Sequence, residues 1–164
     1  MSEEDWEQRI AAAWARIDDL DEAEFLAQLE RVAAEYPGGA GNGVFERASS
    51  LDSTGHSDLA VPLYRQALER GLVGERRRRA VIQMASSLRN LGQVDESIAL
   101  LSAEKGAGTD GLDDAVAGFL ALSLAEANRE REALSIALVA LAPHLPRYQR
   151  SLANYANDLA PTQL

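Results

Sequence analysis

The sequence predicts an all-α protein, a right-handed α-solenoid of paired helices closed by a capping helix at each end. Three observations carry that expectation. Apolar residues recur three or four apart along almost the whole chain, and no alternating run stands against them. Residues that stop helices fall at fairly even intervals. A fixed set of small and large side chains then recurs at a lag of about 36 residues, in the range of helix-turn-helix solenoids.

The helices follow in order. The stripe Trp6, Ile10, Ala13, Trp14 and Ile17 makes the first, ending before Leu20-Asp21. Phe25, Leu29 and Val32 make the second, closed by Pro37-Gly38-Gly39. The third runs through Ala48 and Leu51 to Thr54-Gly55. The fourth carries Ala60, Tyr64 and Ala67 up to Gly71, and Pro62 inside its first two turns removes a backbone donor, which predicts an irregular start. The fifth is "ERRRRAVIQMASSLRN", residues 75–90, stopped at Leu91-Gly92. Ser97, Leu101 and Glu104 belong to the sixth, which ends at Gly106. Ala121 and Leu124 belong to the seventh, stopped at Asn128, and Ala133, Ala137 and Ala140 to the eighth, stopped at Pro143. The stripe Leu145, Tyr148, Leu152, Tyr155 and Leu159 forms the ninth, with Pro146 placed to open it.

Composition narrows what these helices do. The 164 residues suit one domain, divided as an N-terminal helix pair over 1–40, three repeats over 41–142 and a capping helix over 143–164. Hydrophobic residues reach 46% but aromatics only 5%, so the apolar content is mostly alanine and leucine, which suits helices packed at close range. The chain has no cysteine, which excludes disulfides, thiolate metal sites and thiol nucleophiles. A net charge of −10 repels phosphate backbones, so nucleic acid is not an expected partner. The start, "MSEEDWEQRI", is acidic where a secretory signal is basic and then apolar, so the expectation is cytoplasmic. "AVAGFLALSLAEA", residues 115–127, falls short of the roughly 20 apolar residues that span a bilayer.

The repeat has a packing logic. Gly55, Gly92 and Asn128 are each preceded by an alanine and a leucine at the same offsets: Ala48 and Leu51, Ala85 and Leu88, Ala121 and Leu124. They are followed by Ala60, Ser97 and Ala133, then Tyr64, Leu101 and Ala137, then Ala67, Glu104 and Ala140. Small residues on both helices of a pair let the two approach closely, and the turn residue supplies the left-handed conformation that ends the first helix. These positions resemble the motif of the tetratricopeptide repeat. "LAVPLYRQAL", "RRRRAVIQMASSLRNLGQVDESIALL" and "FLALSLAEANREREALSIAL" look like the bacterial group-five tetratricopeptide family, over about residues 41–142. A half-repeat resembling the motif's second helix lies in 21–37. Arg47, where the motif has leucine, and Glu104, where it has alanine, depart from it. The resemblance implies an interaction module, in effect a bacterial scaffold, and it implies that the first helix of each pair lines a concave face.

Nothing in the sequence assembles a catalytic centre, and no cofactor is expected. The two histidines, His56 and His144, lack a second ligand at metal spacing. "GGAGNG", residues 38–43, follows a helix and lacks the lysine and hydroxyl of a phosphate loop. The carboxylates of "DDLDEAE", 18–24, and "DGLDD", 110–114, read as helix starts or solvated faces.

The four arginines that open the fifth helix read in two ways: as a solvated face paired with the chain's own carboxylates, or as the rim of a groove. The family's register brings Phe45 and Ser49, then Arg79, Ile82, Ser86 and Arg89, then Leu122 and Glu126 to that groove, with Asp52 and Gly118 flanking them. A cationic rim over an apolar floor suits an acidic or amphipathic peptide. The alternative is a structural subunit that self-associates through its terminal helices with the groove unused, so the chain is expected to be a monomer or a homodimer.

Overall fold

The computed structural model describes residues 2–39 and 41–160. Among these residues it holds nine α-helices, one 3-10 turn and no strand. The helices are α1 (Glu3–Trp14), α2 (Glu22–Ala34), α3 (Asn42–Ser53), α4 (Ser57–Glu69), α5 (Gly74–Asn90), α6 (Val94–Gly106), α7 (Asp113–Glu126), α8 (Glu130–Leu141) and α9 (Gln149–Asn157), with the 3-10 turn at Ala142–His144. The chain divides within α5 into two compact units, one reaching to Ser87 and the other starting at Leu88.

In the first unit α1, α2, α3 and α4 pack in succession, the arrangement of α-solenoid proteins. Its N-terminal pair closes over Trp6, Ile10, Phe25 and Leu29, and the Trp6 indole donates to the Val32 carbonyl at 2.7 Å, so the ring is buried without stranding its polar edge. Ser2 caps α1 in a box with Asp5, and Asp21 caps α2 by accepting from the Glu24 amide at 2.9 Å. Backbones then approach closely. A Cβ on Gly43 would sit 2.4 Å from the Ala33 carbonyl oxygen, so only glycine fits where α3 crosses α2. Tyr64 of α4 is buried and donates to Asp52 of α3 at 3.2 Å. Burial, and then the Asp52 carboxylate, hold its phenol well above the usual range.

In the second unit α6, α7, α8 and α9 likewise pack in succession. Ser97 stands at the small position facing α7, and its hydroxyl lies 2.9 Å from that of Ser123, both fully covered. Asp110 and Asp113 satisfy amides just ahead of α7, as the acidic run leads one to expect.

The three turns of the repeat are made alike. Gly55, Gly92 and Asn128 have φ of +88°, +77° and +58°. The next residue's amide donates back to the leucine five positions earlier: His56 to Leu51 at 2.8 Å, Gln93 to Leu88 at 2.8 Å, Arg129 to Leu124 at 2.9 Å. His56, Gln93 and Arg129 then take nearly one conformation, φ −96°, −89° and −112° with ψ 57°, 55° and 48°, and each starts the next helix.

Two expectations are corrected. Helix α4 runs unbroken through Pro62, because the proline deprives only the Asp58 carbonyl of its helical donor, and Asp58 is exposed at the helix start. Helix α9 does not begin at Pro146. Tyr148 has φ +70° and serves as N-cap, so the helix starts at Gln149, whose side-chain amide donates to the Pro143 and Leu145 carbonyls at 3.0 and 2.8 Å. Of its residues only Ala156 is buried.

Gly43→Ala is expected to lower unfolding free energy by about 1–3 kcal/mol through the clash with Ala33. Gly118→Ala, on α7 with open space around the added methyl, is expected to raise it by about 0.5–1 kcal/mol. Urea titration of both variants checks the pair. In alkaline titration, stability is retained below the ordinary phenol pKa of about 10 and lost above it, since unfolding then releases the Tyr64 proton; absorbance of the phenolates reports it.

Candidate functional site

Helices α1, α3 and α5 share one face of the first unit, and a pocket of about 340 Å³ opens between them. Trp14 and Ile10 of α1 give it an apolar wall. Ser49 and Glu46 of α3, with Arg76, Arg79 and Gln83 of α5, give it polar groups.

The arginine run divides by helix geometry. Arg76 is held in place: its Nη1 and Nη2 donate to both Glu7 oxygens at 2.6 and 2.7 Å, and its Nε donates to Glu46 at 2.9 Å. The guanidinium carbon also stands 5.3 Å from the centroid of the Trp6 ring. The Glu7 hydrogen bond is the first cause holding the Arg76 pKa above its ordinary range, opposed by burial and assisted by Glu46. Glu46 is 2% exposed, and its second oxygen accepts from the Trp14 indole at 2.7 Å, so both its oxygens are engaged. One network thus ties α1, α3 and α5 together. Arg78 is buried. Neither reading of the run as a whole describes it.

Arg79 differs. It is half-buried at the pocket, its guanidinium carbon lies 5.2 Å from the Phe45 ring centroid, and among the described residues it forms no ion pair. Gln83 accepts from the Ser49 hydroxyl at 3.2 Å, which leaves its amide nitrogen free to donate. The pocket therefore offers an uncompensated cation and an amide donor next to an indole.

The residues predicted for the groove fall in different settings. Phe45, Ser49 and Ile82 are buried, at 0%, 1% and 5% exposure, so they support the first unit's face from beneath. Ser86 is half-buried. Asp52 is a tie between helices, accepting from Tyr64 and from Ser87 at 2.6 Å. In the second unit Arg89 donates to Glu126 at 3.0 Å, so these two neutralise each other, and Leu122, one turn back from Glu126 on α7, is 52% exposed. The family register did not bring out Glu7, Glu46, Arg76 or Gln83. Glu46 could be found only by noticing that α3 is rich in glycine, serine and alanine and so is covered on several sides.

Among the described residues no three or more His, Cys, Asp or Glu side chains gather where they would hold a metal ion. Among the same residues no helix is long and apolar enough to cross a membrane.

Glu46→Gln is expected to cost about 1–3 kcal/mol of stability, because a half-buried guanidinium and an indole lose their charged acceptor. Glu7→Gln, at the more exposed end of the network, is expected to cost less than about 1 kcal/mol. Urea midpoints for the two variants give the order.

The family model described as Tetratrico peptide repeat matches residues 41–159, extending past residue 142 to take in α9. No curated protein and no solved structure matches the chain. With the matched residues covering most of its length and the turns at Gly55, Gly92 and Asn128 built alike, the chain belongs to the tetratricopeptide repeat family, a helical-repeat interaction fold.

Proposed function

We propose that the chain is a non-enzymatic binding module that captures an acidic, amphipathic segment of another protein, with Arg79 as the anchor. The observation that carries the reading is the contrast between neighbouring arginines. Arg76 is neutralised by Glu7 and Glu46, whereas Arg79 faces the same pocket with no carboxylate of its own. A carboxylate from the segment pairs with the Arg79 guanidinium in a charge-assisted bond, and Gln83 donates a second. Trp14 and Ile10 cover the segment's apolar side chain. Because the face is already fixed by the Arg76 network, little ordering cost falls on the protein. In the second unit, Leu122 with the Arg89–Glu126 pair offers a further contact surface of mixed character.

The test is a panel of short peptides, acidic-amphipathic against neutral and basic, read by fluorescence anisotropy. Acidic-amphipathic peptides are expected to bind, and Arg79→Glu to weaken them by about tenfold or more. Arg16→Glu makes the same change of charge at an exposed position outside the pocket and is expected to leave binding within about twofold. Equal losses in the two variants, or binding indifferent to peptide charge, contradict the reading.

A further inference from the structure

The pocket that holds Arg79 also carries a reachable carboxylate. Glu7 lines it, and its side chain is 40% exposed although Arg76 donates to both of its oxygens. A carboxylate accepts about four hydrogen bonds, so Glu7 keeps room for another donor. Glu46 keeps none that a ligand can reach, because it is buried and Arg76 and Trp14 engage its two oxygens. Arg76 and Arg79 are neighbours one turn apart on α5, and Glu7 is bonded to the first of them. The pocket is therefore negative toward Glu7 and positive at Arg79.

Charge balance decides what such a pocket takes. Its ionic side chains are two carboxylates, Glu7 and Glu46, and two guanidiniums, Arg76 and Arg79. An acid paired with Arg79 leaves one negative charge in excess, on a chain whose net charge is already −10. A cation beside Glu7 removes that excess. The occupant that complements both ends carries an acid and a base, set about as far apart as neighbouring turns of a helix.

We infer that the pocket selects a segment in which a basic residue stands within about one helical turn of the acid, the acid pairing with Arg79 and the base with Glu7. This rests on the reading of Arg79 as anchor and adds an opposite contact to it. Glu7 then has two roles: it holds Arg76 in place, and its exposed side meets the segment's cation. A segment that is acidic throughout binds less tightly, because Glu7 repels it.

Isomeric peptides with blocked ends, each amphipathic and net acidic with two adjacent acids and a single lysine, test this by fluorescence anisotropy. The lysine is placed one helical turn before the acids, one turn after them, or several turns away, so net charge is constant and only its position varies. At least one near isomer is expected to bind about two- to fivefold more tightly than the far one, the size of an exposed ion pair. That gain shrinks at high sodium chloride. Glu7→Gln abolishes it, whereas Glu24→Gln, the same change of charge at an exposed position outside the pocket, retains it. Near and far isomers that bind alike while Arg79→Glu still weakens both overturn the inference and leave the Arg79 anchor standing. A gain that survives Glu7→Gln, or that Glu24→Gln removes equally, does the same. If binding of every isomer ignores Arg79→Glu, anchor and inference fall together.

Discussion

One backbone hydrogen bond, made three times, organises the repeats. Where the first helix of a pair ends, the leucine carbonyl at Leu51, Leu88 or Leu124 accepts from the amide just past a left-handed residue. That bond satisfies a carbonyl the helix would leave open, and in the α3–α4 and α7–α8 pairs it turns the chain so that the next helix packs back on the last. The small residue four positions beyond the closing amide, Ala60, Ser97 or Ala133, is in each case buried. At Ala60 and Ala133 a bulkier side chain would separate the paired helices and break the contact that the turn sets up. Turn and small residue therefore work as a unit.

Paired helices leave a surface made from alternate helices, and polar chemistry decides what that surface does. In the first unit the Glu7–Arg76–Glu46 network with Trp14 fixes α1, α3 and α5 relative to each other. Burying Glu46 carries a desolvation cost, which two donors offset. The network contributes less to net stability than to orientation, since it presents Arg79 and Gln83 beside an indole on a surface that is already rigid. The arginine that fixes the face and the one proposed to meet a ligand stand three residues apart in the sequence.

Much of the fold was legible because its determinants are local. Gly55, Gly92 and Asn128 were readable as left-handed turn residues from position alone, and Ala48, Ala85 and Ala121 as close-approach residues from their spacing. The stripe from Trp6 to Ile17 likewise marked a buried face. What was not legible depends on contacts between residues far apart in the chain. Glu46 meets Arg76 and Trp14 across 30 and 32 positions, and helical periodicity carries no sign of such partners. The same limit applies to the arginine run, where sequence could not separate Arg76, bound to two carboxylates, from Arg79, bound to none. The start of α9 was misplaced because Pro146 is a plausible first helical residue, while Tyr148 takes a backbone conformation that tyrosine seldom adopts.

Amide hydrogen exchange read by NMR tests the central claim most directly, because the closing bond has a named donor in each repeat. If the three turns are hydrogen-bonded as described, the amides of His56, Gln93 and Arg129 exchange far more slowly than their intrinsic rates, and in step with one another. Exchange at unprotected rates at these three positions, with the flanking helices still protected, would show that the turns are open and that something other than this bond pairs the helices.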